Sequence, residues 1–428
     1  MIMPGAGCRR GSIACASNEL PAAVAYVTPA ACRANAGDTP DLEKRGLPVQ
    51  NRWSTRRHKS RRSFTGAPVC NPPYRKRAMS VSDPRTAAAA SRQAVHRGAT
   101  ERRLPVFGSV LETIGQTPLV RMSRLFAESD VEVYAKLEGL NPGGSIKDRP
   151  AFNIITKALA AGDIGPETTI VESSSGNFAI GLAQICSYLG LRLICVVDIK
   201  TTAQNIRIIE AYGAGVDLVR EPDAVTGEYL QARLNRIKQI RESIPNTYWP
   251  NQYANPNNSG AHYTHTMNEI HDVLGDDIDY VFIATSTCGT LRGCADFIQD
   301  RGLKTKIVAV DAMGSVIFGR PSGKRLLPGH GAGVIPPLFR TDLASAVVHV
   351  SDLDCVLGCR RLVQYEAILA GASSGGIVSA IERMLSEGAL APASRCVAVL
   401  ADRGERYMDT VYSDSWVQAQ LGDDAISV

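Results

Sequence analysis

The sequence lacks the patterns that mark a membrane protein, a disulfide-stabilised protein or a metalloprotein. None of its apolar runs is long enough to cross a bilayer, so we expect no transmembrane segment. Its 11 cysteines show no paired spacing, which favours reduced thiols in a cytoplasmic protein. Cys355 and Cys359 fall on one turn of a predicted helix, but no histidine or further cysteine follows at ligand spacing. We therefore expect these two thiols to pack in a core.

A strong excess of one charge is also absent, because the net charge is only +5. The excess is confined to residues 1–78, which hold 14 Arg and Lys against 4 Asp and Glu, a balance of +10 that leaves −5 for the rest. A mildly acidic body of this length predicts a globular enzyme of about two domains with no general affinity for nucleic acid.

Residues 1–105 are rich in Arg, Ala, Pro and Ser and show no sustained apolar period, so we expect a disordered basic leader. An Arg-rich leader with few acids is compatible with an organelle transit peptide or a nucleic-acid-binding arm. The simpler interpretations are a flexible extension, or a true start at Met79.

From residue 106 onward, strand-like runs such as TIVESSS, LRLICVVD and KIVAVDA alternate with amphipathic helical runs such as GNFAIGLAQICSYLG. This alternation predicts an α/β fold with mostly parallel twisted sheets. Because it occurs in two blocks, we expect two lobes with the site in the cleft between them. The predicted large domain comprises residues 106–140 and 252–428, and the small mobile substrate domain comprises residues 141–251.

The stretch NPGGSIKDRP places Lys147 between a glycine-rich turn and a predicted helix start. The glycines permit a tight turn, and Ser145 is expected to cap the helix. The positive end of a helix disfavours an ammonium group, so Lys147 is easier to deprotonate, which suits condensation with an aldehyde. A solvated or salt-bridged lysine is the alternative, and this motif alone does not decide between them.

Three further loops open helices, where free backbone N–H groups bind anions. ESSSGNFAIG suits a carboxylate, although a simple helix cap needs only one serine. STCGT follows the strand DYVFIATS and has the layout of a phosphate cradle. It matches neither G-x-G-x-x-G nor the P-loop pattern, so we expect neither a dinucleotide nor a nucleoside triphosphate there. GASSGG opens a late helix.

A lysine motif, a Ser-Gly-Asn loop, a Thr/Gly loop and a late Ser-Gly helix start, in this order, resemble the fold-type II pyridoxal-phosphate enzymes of the cysteine synthase and cystathionine β-synthase family. The resemblance covers about residues 108–416 and includes IGQTPLVRM and LADRGERYMDTVYSDSW. It implies that Lys147 forms the internal Schiff base with pyridoxal 5'-phosphate and removes the Cα proton. It assigns the cofactor's 3-oxygen to Asn177 and its pyridine nitrogen to Ser373, whose hydroxyl favours elimination over transamination.

The resemblance also implies the remaining site residues and a homodimer. The cofactor phosphate is assigned to Ser286, Thr287, Cys288, Gly289 and Thr290. The substrate-binding residues are Ser174, Ser175, Gly176, Gln252 and Tyr253.

The chain departs from typical cysteine synthases in having Phe178 where threonine is usual, Ser286 instead of glycine and Tyr253 instead of phenylalanine. The added hydroxyls suit a reactant richer in oxygen than sulfide or acetate, although neutral drift is the alternative. Segments such as REPDA and VDAMGSVIFG resemble the branch of the family that joins O-phospho-L-serine to L-glutamate by β-replacement. Its product, N-(2-amino-2-carboxyethyl)-L-glutamate, is a precursor of 2,3-diaminopropionate in siderophore and antibiotic biosynthesis. A cysteine synthase that uses O-acetylserine or O-phosphoserine is the alternative.

A glutamate acceptor brings two carboxylates to the site and requires positive or hydroxyl groups there. The segment GRPSGKRLLPGHGAG supplies such charges on a glycine-rich loop, and we expect this loop to close over the cleft and admit glutamate together with Arg292, Tyr253 and Ser286. Surface solvation of the charges is the alternative. The residues concerned are Arg320, Lys324, Arg325 and His330. The expected partners are amino-acid substrates and a second copy of the chain, with no nucleic acid, membrane or metal.

Overall fold

The computed structural model describes residues 106–422, so the predicted leader and the possible start at Met79 lie outside the described part. Within this range the chain forms two sheets surrounded by helices. The strands are β1 Leu119–Arg121, β2 Glu132–Leu137, β3 Thr169–Ser173, β4 Arg192–Asp198, β5 Gly215–Val219, β6 Thr247–Tyr248, β7 Tyr280–Ala284, β8 Lys306–Ala312, β9 Ala346–Val350 and β10 Arg395–Leu400. The helices are α1 Asp148–Ala161, α2 Asn177–Leu189, α3 Ala203–Ala211, α4 Tyr229–Ser243, α5 Pro256–Ala261, α6 Asn268–Leu274, α7 Gly289–Asp300, α8 Asp352–Arg361, α9 Ala372–Ser386 and α10 Asp414–Leu421.

The larger sheet has the strand order β1-β2-β10-β7-β8-β9, and the smaller has the order β5-β4-β3-β6. Every neighbouring pair is parallel except β1 with β2 at one edge. Parallel strands covered by helices are buried on both faces, and all five residues of β3 are indeed buried. The predicted α/β fold with mostly parallel sheets is therefore confirmed.

Each sheet has its own apolar core. Phe282, Val310 and Ile377 belong to the core on one face of the larger sheet, and Ile170 and Ile185 belong to the core of the smaller one. The four-stranded sheet falls within residues 169–248, but the predicted domain boundaries and the mobility of the smaller domain remain predictions. No helix within residues 106–422 is both long and apolar enough to span a membrane.

Helices α8 and α9 cross at two glycines. A Cβ atom at Gly358 would overlap the backbone of Gly375, and one at Gly375 would overlap the backbone of Cys355, so only glycine allows this approach. Cys355 and Cys359 are fully buried in the core beside the crossing, as their predicted packing role requires.

The stretch VLGCRRLVQYEAILAG, residues 356–371, does not form one continuous α-helix. The α-helix ends at Arg361, a π-helical turn covers Leu362–Glu366, and Ala367 has a positive φ of 56°. The chain leaves the helix at this residue and runs to Gly371, which precedes α9.

Candidate active site

The carboxyl ends of β3, β7 and β10 and the starts of α1, α2 and α9 line one cavity of about 230 Å³. Because β7 and β10 are parallel neighbours in the larger sheet, the loops that follow them meet at one edge of it. The loop after β3, a strand of the smaller sheet, lines the same cavity. Cys288 and Gly289 belong to the predicted phosphate loop but are not among the lining residues. The predicted residues that line the cavity are Lys147, Ser174, Ser175, Gly176, Asn177, Gln252, Tyr253, Ser286, Thr287, Thr290 and Ser373.

Lys147 immediately precedes α1 and is half-buried. The backbone N–H of Ile146 donates to the carbonyl of Ala401 at 2.8 Å, which holds the lysine loop against the end of β10. The backbone N–H of Lys147 donates to Oγ of Ser145 at 3.1 Å, so Ser145 fixes this loop and does not provide the predicted cap of α1. Burial lowers the pKa of Lys147, while the charge of Asp402 opposes this shift. An amine that is neutral more often is a better nucleophile toward an aldehyde.

The serine-rich loop follows β3 and ends at α2. Ser174 is buried, and the carbonyl of Ser175 accepts a hydrogen bond from Nδ2 of Asn205 at 3.0 Å. Oγ of Ser173 is buried and has no hydrogen-bond partner among the described residues. The free hydroxyl and the positive end of α2 both favour a carboxylate bound here.

The threonine-rich loop links β7 to α7. Cys288 takes the left-handed conformation, with φ of 62°, and turns the backbone into the helix. A Cβ atom at Gly289 would overlap the amide of Asn258, so the helix start approaches this side chain more closely than other residues permit. Oγ1 of Thr290 lies 3.2 Å from Nε2 of His262, which burial keeps neutral by lowering its pKa well below the usual value.

Ser373 is buried in the first turn of α9. The structure places beside it residues that the sequence did not single out, namely Asp402, Arg406 and Tyr407, which also line the cavity. The hydroxyl of Tyr407 donates to Oδ2 of Asp402 at 2.8 Å. The sequence signal for them is LADRGERYM, a charged run directly after a buried strand.

A second group that the sequence did not single out lies on α3 and α4. Thr202, Asn205 and Arg233 line the cavity, and Nε of Arg233 lies 3.3 Å from Oδ2 of Asp198. Because α3 begins just after Thr202, its positive end adds to the positive charge of Arg233.

The charges predicted to admit glutamate do not line this cavity. Arg292 pairs with Asp296 at 3.5 Å, and Arg325 donates to the carbonyl of Gly314 at 3.0 Å. His330 is buried, with Nε2 3.4 Å from Sγ of Cys355. Arg320 and Lys324 are exposed.

The cavity has the donors that pyridoxal 5'-phosphate requires. Lys147 can take its aldehyde, and the start of α7, with the hydroxyls of Thr287 and Thr290, can take its phosphate. Burial raises the pKa of the Cys288 thiol to about 12, so this loop carries no negative charge that would repel a phosphate. Oδ1 of Asn258 and Oδ1 of Asp402 are buried and have no hydrogen-bond partner in the described part of the chain, so they are further polar atoms at this site.

Known proteins resemble this chain in sequence. Residues 110–402 match the sequence profile of the family described as pyridoxal-phosphate dependent enzymes. The chain is 47% identical over 309 residues to an N-(2-amino-2-carboxyethyl)-L-glutamate synthase from Ralstonia nicotianae, covering 72% of this chain and 90% of the relative. It is 45% identical over 313 residues to the synthase of the same name from Cupriavidus metallidurans, covering 73% and 92%.

Solved structures agree with the fold. An O-acetylserine dependent cystathionine β-synthase from Helicobacter pylori aligns with a TM-score of 0.66 at 29% identity, over 72% of this chain and all of that chain. An O-ureido-L-serine synthase aligns with a TM-score of 0.67 at 28% identity, over 74% and 100%. The cofactor of this protein is pyridoxal 5'-phosphate, and the chain belongs to the family of pyridoxal-phosphate dependent enzymes.

Proposed function

We propose that this enzyme joins O-phospho-L-serine to L-glutamate by β-replacement, releasing phosphate and forming N-(2-amino-2-carboxyethyl)-L-glutamate for 2,3-diaminopropionate biosynthesis. The observation that carries the proposal is the identity of 45–47% to two synthases of this product over 90–92% of their length. Bound pyridoxal phosphate supplies the electron sink for loss of the Cα proton and of the β-substituent.

The chain's own residues then take the following roles. Lys147 holds the cofactor and moves the Cα proton, because its ε-amine lines the cavity and can accept a proton. The serine loop at the start of α2 binds the substrate carboxylate, and the start of α7 binds the cofactor phosphate. Asn177 and Ser373 bind the ring of the cofactor.

The charge of the cavity supports anionic substrates. Its lining includes three cations, Lys147, Arg233 and Arg406, and one acid, Asp402. Lys147 is committed to the cofactor, and Arg406 donates to Asn177 and to the carbonyl of Gly143.

Arg233 is therefore the cation left for a substrate anion. Its Nε forms an ion pair with Asp198 but no hydrogen bond to any residue of the range 106–422, so the guanidinium retains donor capacity. The hydroxyls of Tyr253 and Ser286 lie in the same cavity. We assign the recognition of glutamate or of phosphate to Arg233, Tyr253 and Ser286. This assignment replaces the charges predicted from the sequence, which are Arg320, Lys324, Arg325 and His330.

A cysteine synthase is the second candidate. The structural neighbours named for O-acetylserine and O-ureido-L-serine have a similar fold at 28–29% identity. They favour β-replacement on a substituted serine but do not distinguish the nucleophile.

The decisive experiment supplies the purified enzyme with O-phosphoserine and with glutamate or sulfide, and detects the products by mass spectrometry. We expect the glutamate adduct, with one phosphate released for each adduct formed. A parallel reaction with O-acetylserine in place of O-phosphoserine is the control for the donor. Faster formation of cysteine from sulfide than of the glutamate adduct would establish the second candidate instead.

Three broader features belong to the same proposal. The small domain, residues 141–251, closes over the substrates, and the enzyme works as a homodimer, as the family resemblance suggests. A cytoplasmic location is supported by the seven cysteines of residues 106–422, all unpaired and buried.

A further inference from the structure

Asp402 is the one acidic side chain among the residues that line the cavity. It is only 3% exposed. A carboxylate buried to this extent must be stabilised by hydrogen-bond partners or nearby charges. Its Oδ2 accepts hydrogen bonds from Nδ2 of Asn177 at 2.7 Å and from the hydroxyl of Tyr407 at 2.8 Å. Its Oδ1 is buried without a partner among the described residues. The proposed reaction assigns no role to this carboxylate.

The backbone holds Asp402 next to the lysine loop. Ser145 and Asp402 form an antiparallel bridge, and the N–H of Arg403 donates to the carbonyl of Gly144 at 3.3 Å. The segment after β10 therefore runs beside the segment that ends in Lys147, so the two side chains reach the same cavity from paired backbones.

The amide of Asn177 lies between an obligate donor and an anionic acceptor. Arg406 donates to Oδ1 of Asn177, and the carboxylate of Asp402 accepts from Nδ2. A guanidinium cannot accept a hydrogen bond, and an ionised carboxylate cannot donate one. Burial raises the pKa of Asp402, while the hydrogen bonds from Asn177 and Tyr407 and the charges of Arg406 and Lys147 oppose this shift and favour the anion. The two neighbours therefore permit only one orientation of the amide, and one N–H of Nδ2 remains for a bound group.

We propose that Asp402 is a positioning residue of the active site, which fixes the orientation of the Asn177 amide and supplies the negative charge that faces Lys147. The charge favours the protonated state of the lysine nitrogen while the cofactor is attached to it. This inference rests on cofactor attachment at Lys147 and is independent of the second substrate, so it can fail while the proposed reaction holds.

Among the described residues, Asp402 is the carboxylate whose charge acts on Lys147. The next residue, Asp148, does not line the cavity and accepts from the backbone N–H of Gly143. Burial raises the pKa of the Cys288 and Cys359 thiols to about 12, and it lowers that of His262 well below its usual value, so all three are neutral. The other ionisable groups that face Asp402 are Lys147, Arg406, Tyr407 and Tyr412, of which the two tyrosines have a raised pKa and stay neutral.

The test is a spectroscopic pH titration of the cofactor bound to the holoenzyme. Asp402→Asn removes the negative charge and keeps the shape of the side chain. We expect the midpoint of the absorbance change to fall by about 1 unit or more, the shift that loss of a nearby opposite charge produces. Cofactor affinity, measured by equilibrium dialysis, should fall as well, because an amide at residue 402 no longer determines which way Asn177 faces.

Two further variants make the result decisive. Asp311→Asn changes another buried aspartate, which does not line the cavity, and should leave the midpoint unchanged. Tyr407→Phe removes a hydrogen bond that stabilises the Asp402 anion, so it should lower the midpoint, but by less than Asp402→Asn does. If Asp402→Asn does not fold, the result for Tyr407→Phe decides the question. An unchanged midpoint in Tyr407→Phe and in any folded Asp402→Asn, or equal shifts in Asp402→Asn and Asp311→Asn, would overturn the proposal.

Discussion

Arg149, two residues after Lys147, donates to both carboxylate oxygens of Glu138, from Nε at 2.6 Å and from Nη2 at 2.8 Å. Both side chains are at most 1% exposed. The same guanidinium bonds both oxygens of Glu269, which also accepts from Nζ of Lys136 at 2.6 Å. The pair joins the first turn of α1 to the residue after β2, and so fixes the helix that Lys147 precedes.

Loss of this arginine should destabilise the protein strongly. Arg149→Met leaves two carboxylates with too few partners, which we expect to lower the free energy of unfolding by about 3–5 kcal/mol. Urea unfolding of the cofactor-free protein measures the change. The control is Arg236→Met, whose partner Asp217 is partly exposed, with an expected loss of about 1 kcal/mol or less. Equal losses would show that burial of the pair is unimportant.

Lys147→Ala should abolish cofactor attachment. The variant has no side-chain amine at residue 147 to react with the cofactor's aldehyde. Borohydride should therefore trap no cofactor adduct, and turnover should disappear. Mass spectrometry of the reduced protein detects the adduct. Lys157→Ala, an exposed lysine on the same helix, should retain adduct and turnover. A reducible adduct of normal yield in Lys147→Ala would refute the assignment.

Arg233→Gln should weaken the binding of an anionic substrate. The variant loses a charge-assisted hydrogen bond, so we expect the KM for O-phosphoserine or for glutamate to rise about tenfold or more. Steady-state kinetics with each substrate varied in turn identifies which anion it binds. Arg320→Gln and Lys324→Gln are the controls, because those side chains do not line the cavity. A larger effect in either control would restore the glycine-rich loop to the role predicted from the sequence.

Glu172→Gln should change how stability depends on pH. Glu172 is buried, accepts from Nε1 of Trp249 at 3.2 Å and from the N–H of Ser173 at 2.8 Å, and burial raises its pKa to about 7. The folded protein thus retains a proton that the unfolded chain, with its ordinary pKa near 4.5, releases. The resulting stabilisation is complete below pH 4.5 and is lost as pH rises to about 7.

The glutamine variant lacks this titration. The stability of the wild type relative to Glu172→Gln should therefore fall by an amount on the order of 3 kcal/mol between about pH 4.5 and pH 7. Chemical unfolding of the two cofactor-free proteins at several pH values measures the difference. Asp148, whose pKa is also raised to about 7, is present in both and cancels. Parallel profiles would exclude a buried proton on Glu172.

Local patterns were sufficient for much of the site. Each of the four loops follows a strand or opens a helix, and the residues around Lys147, Asn177 and Ser373 have the composition of anion-binding helix starts. Such features depend on neighbours within one turn, so they can be recognised without the fold. The same holds for the parallel strands, whose continuous apolar runs are a property of the strand itself.

Local pattern does not determine whether a charged side chain faces solvent or a cavity. Arg320 and Lys324 lie on a glycine-rich segment and suggested an anion site, yet both are exposed. Arg233 lies within the helix YLQARLNRIKQIRES among several other cations, and nothing in that stretch distinguishes it from a solvated arginine.

The amino-acid order was enough to specify the α/β architecture, the cofactor loops and the family, because these depend on hydrophobic period and on residues close together in the chain. It was not enough to specify which charges act together in the cavity. Asn177 and Asp402 are 225 residues apart, and their hydrogen bond forms only when folding brings the start of α2 beside the segment that follows β10. The energy of a charge depends on burial and on partners from other elements, and these are set by folding of the whole chain.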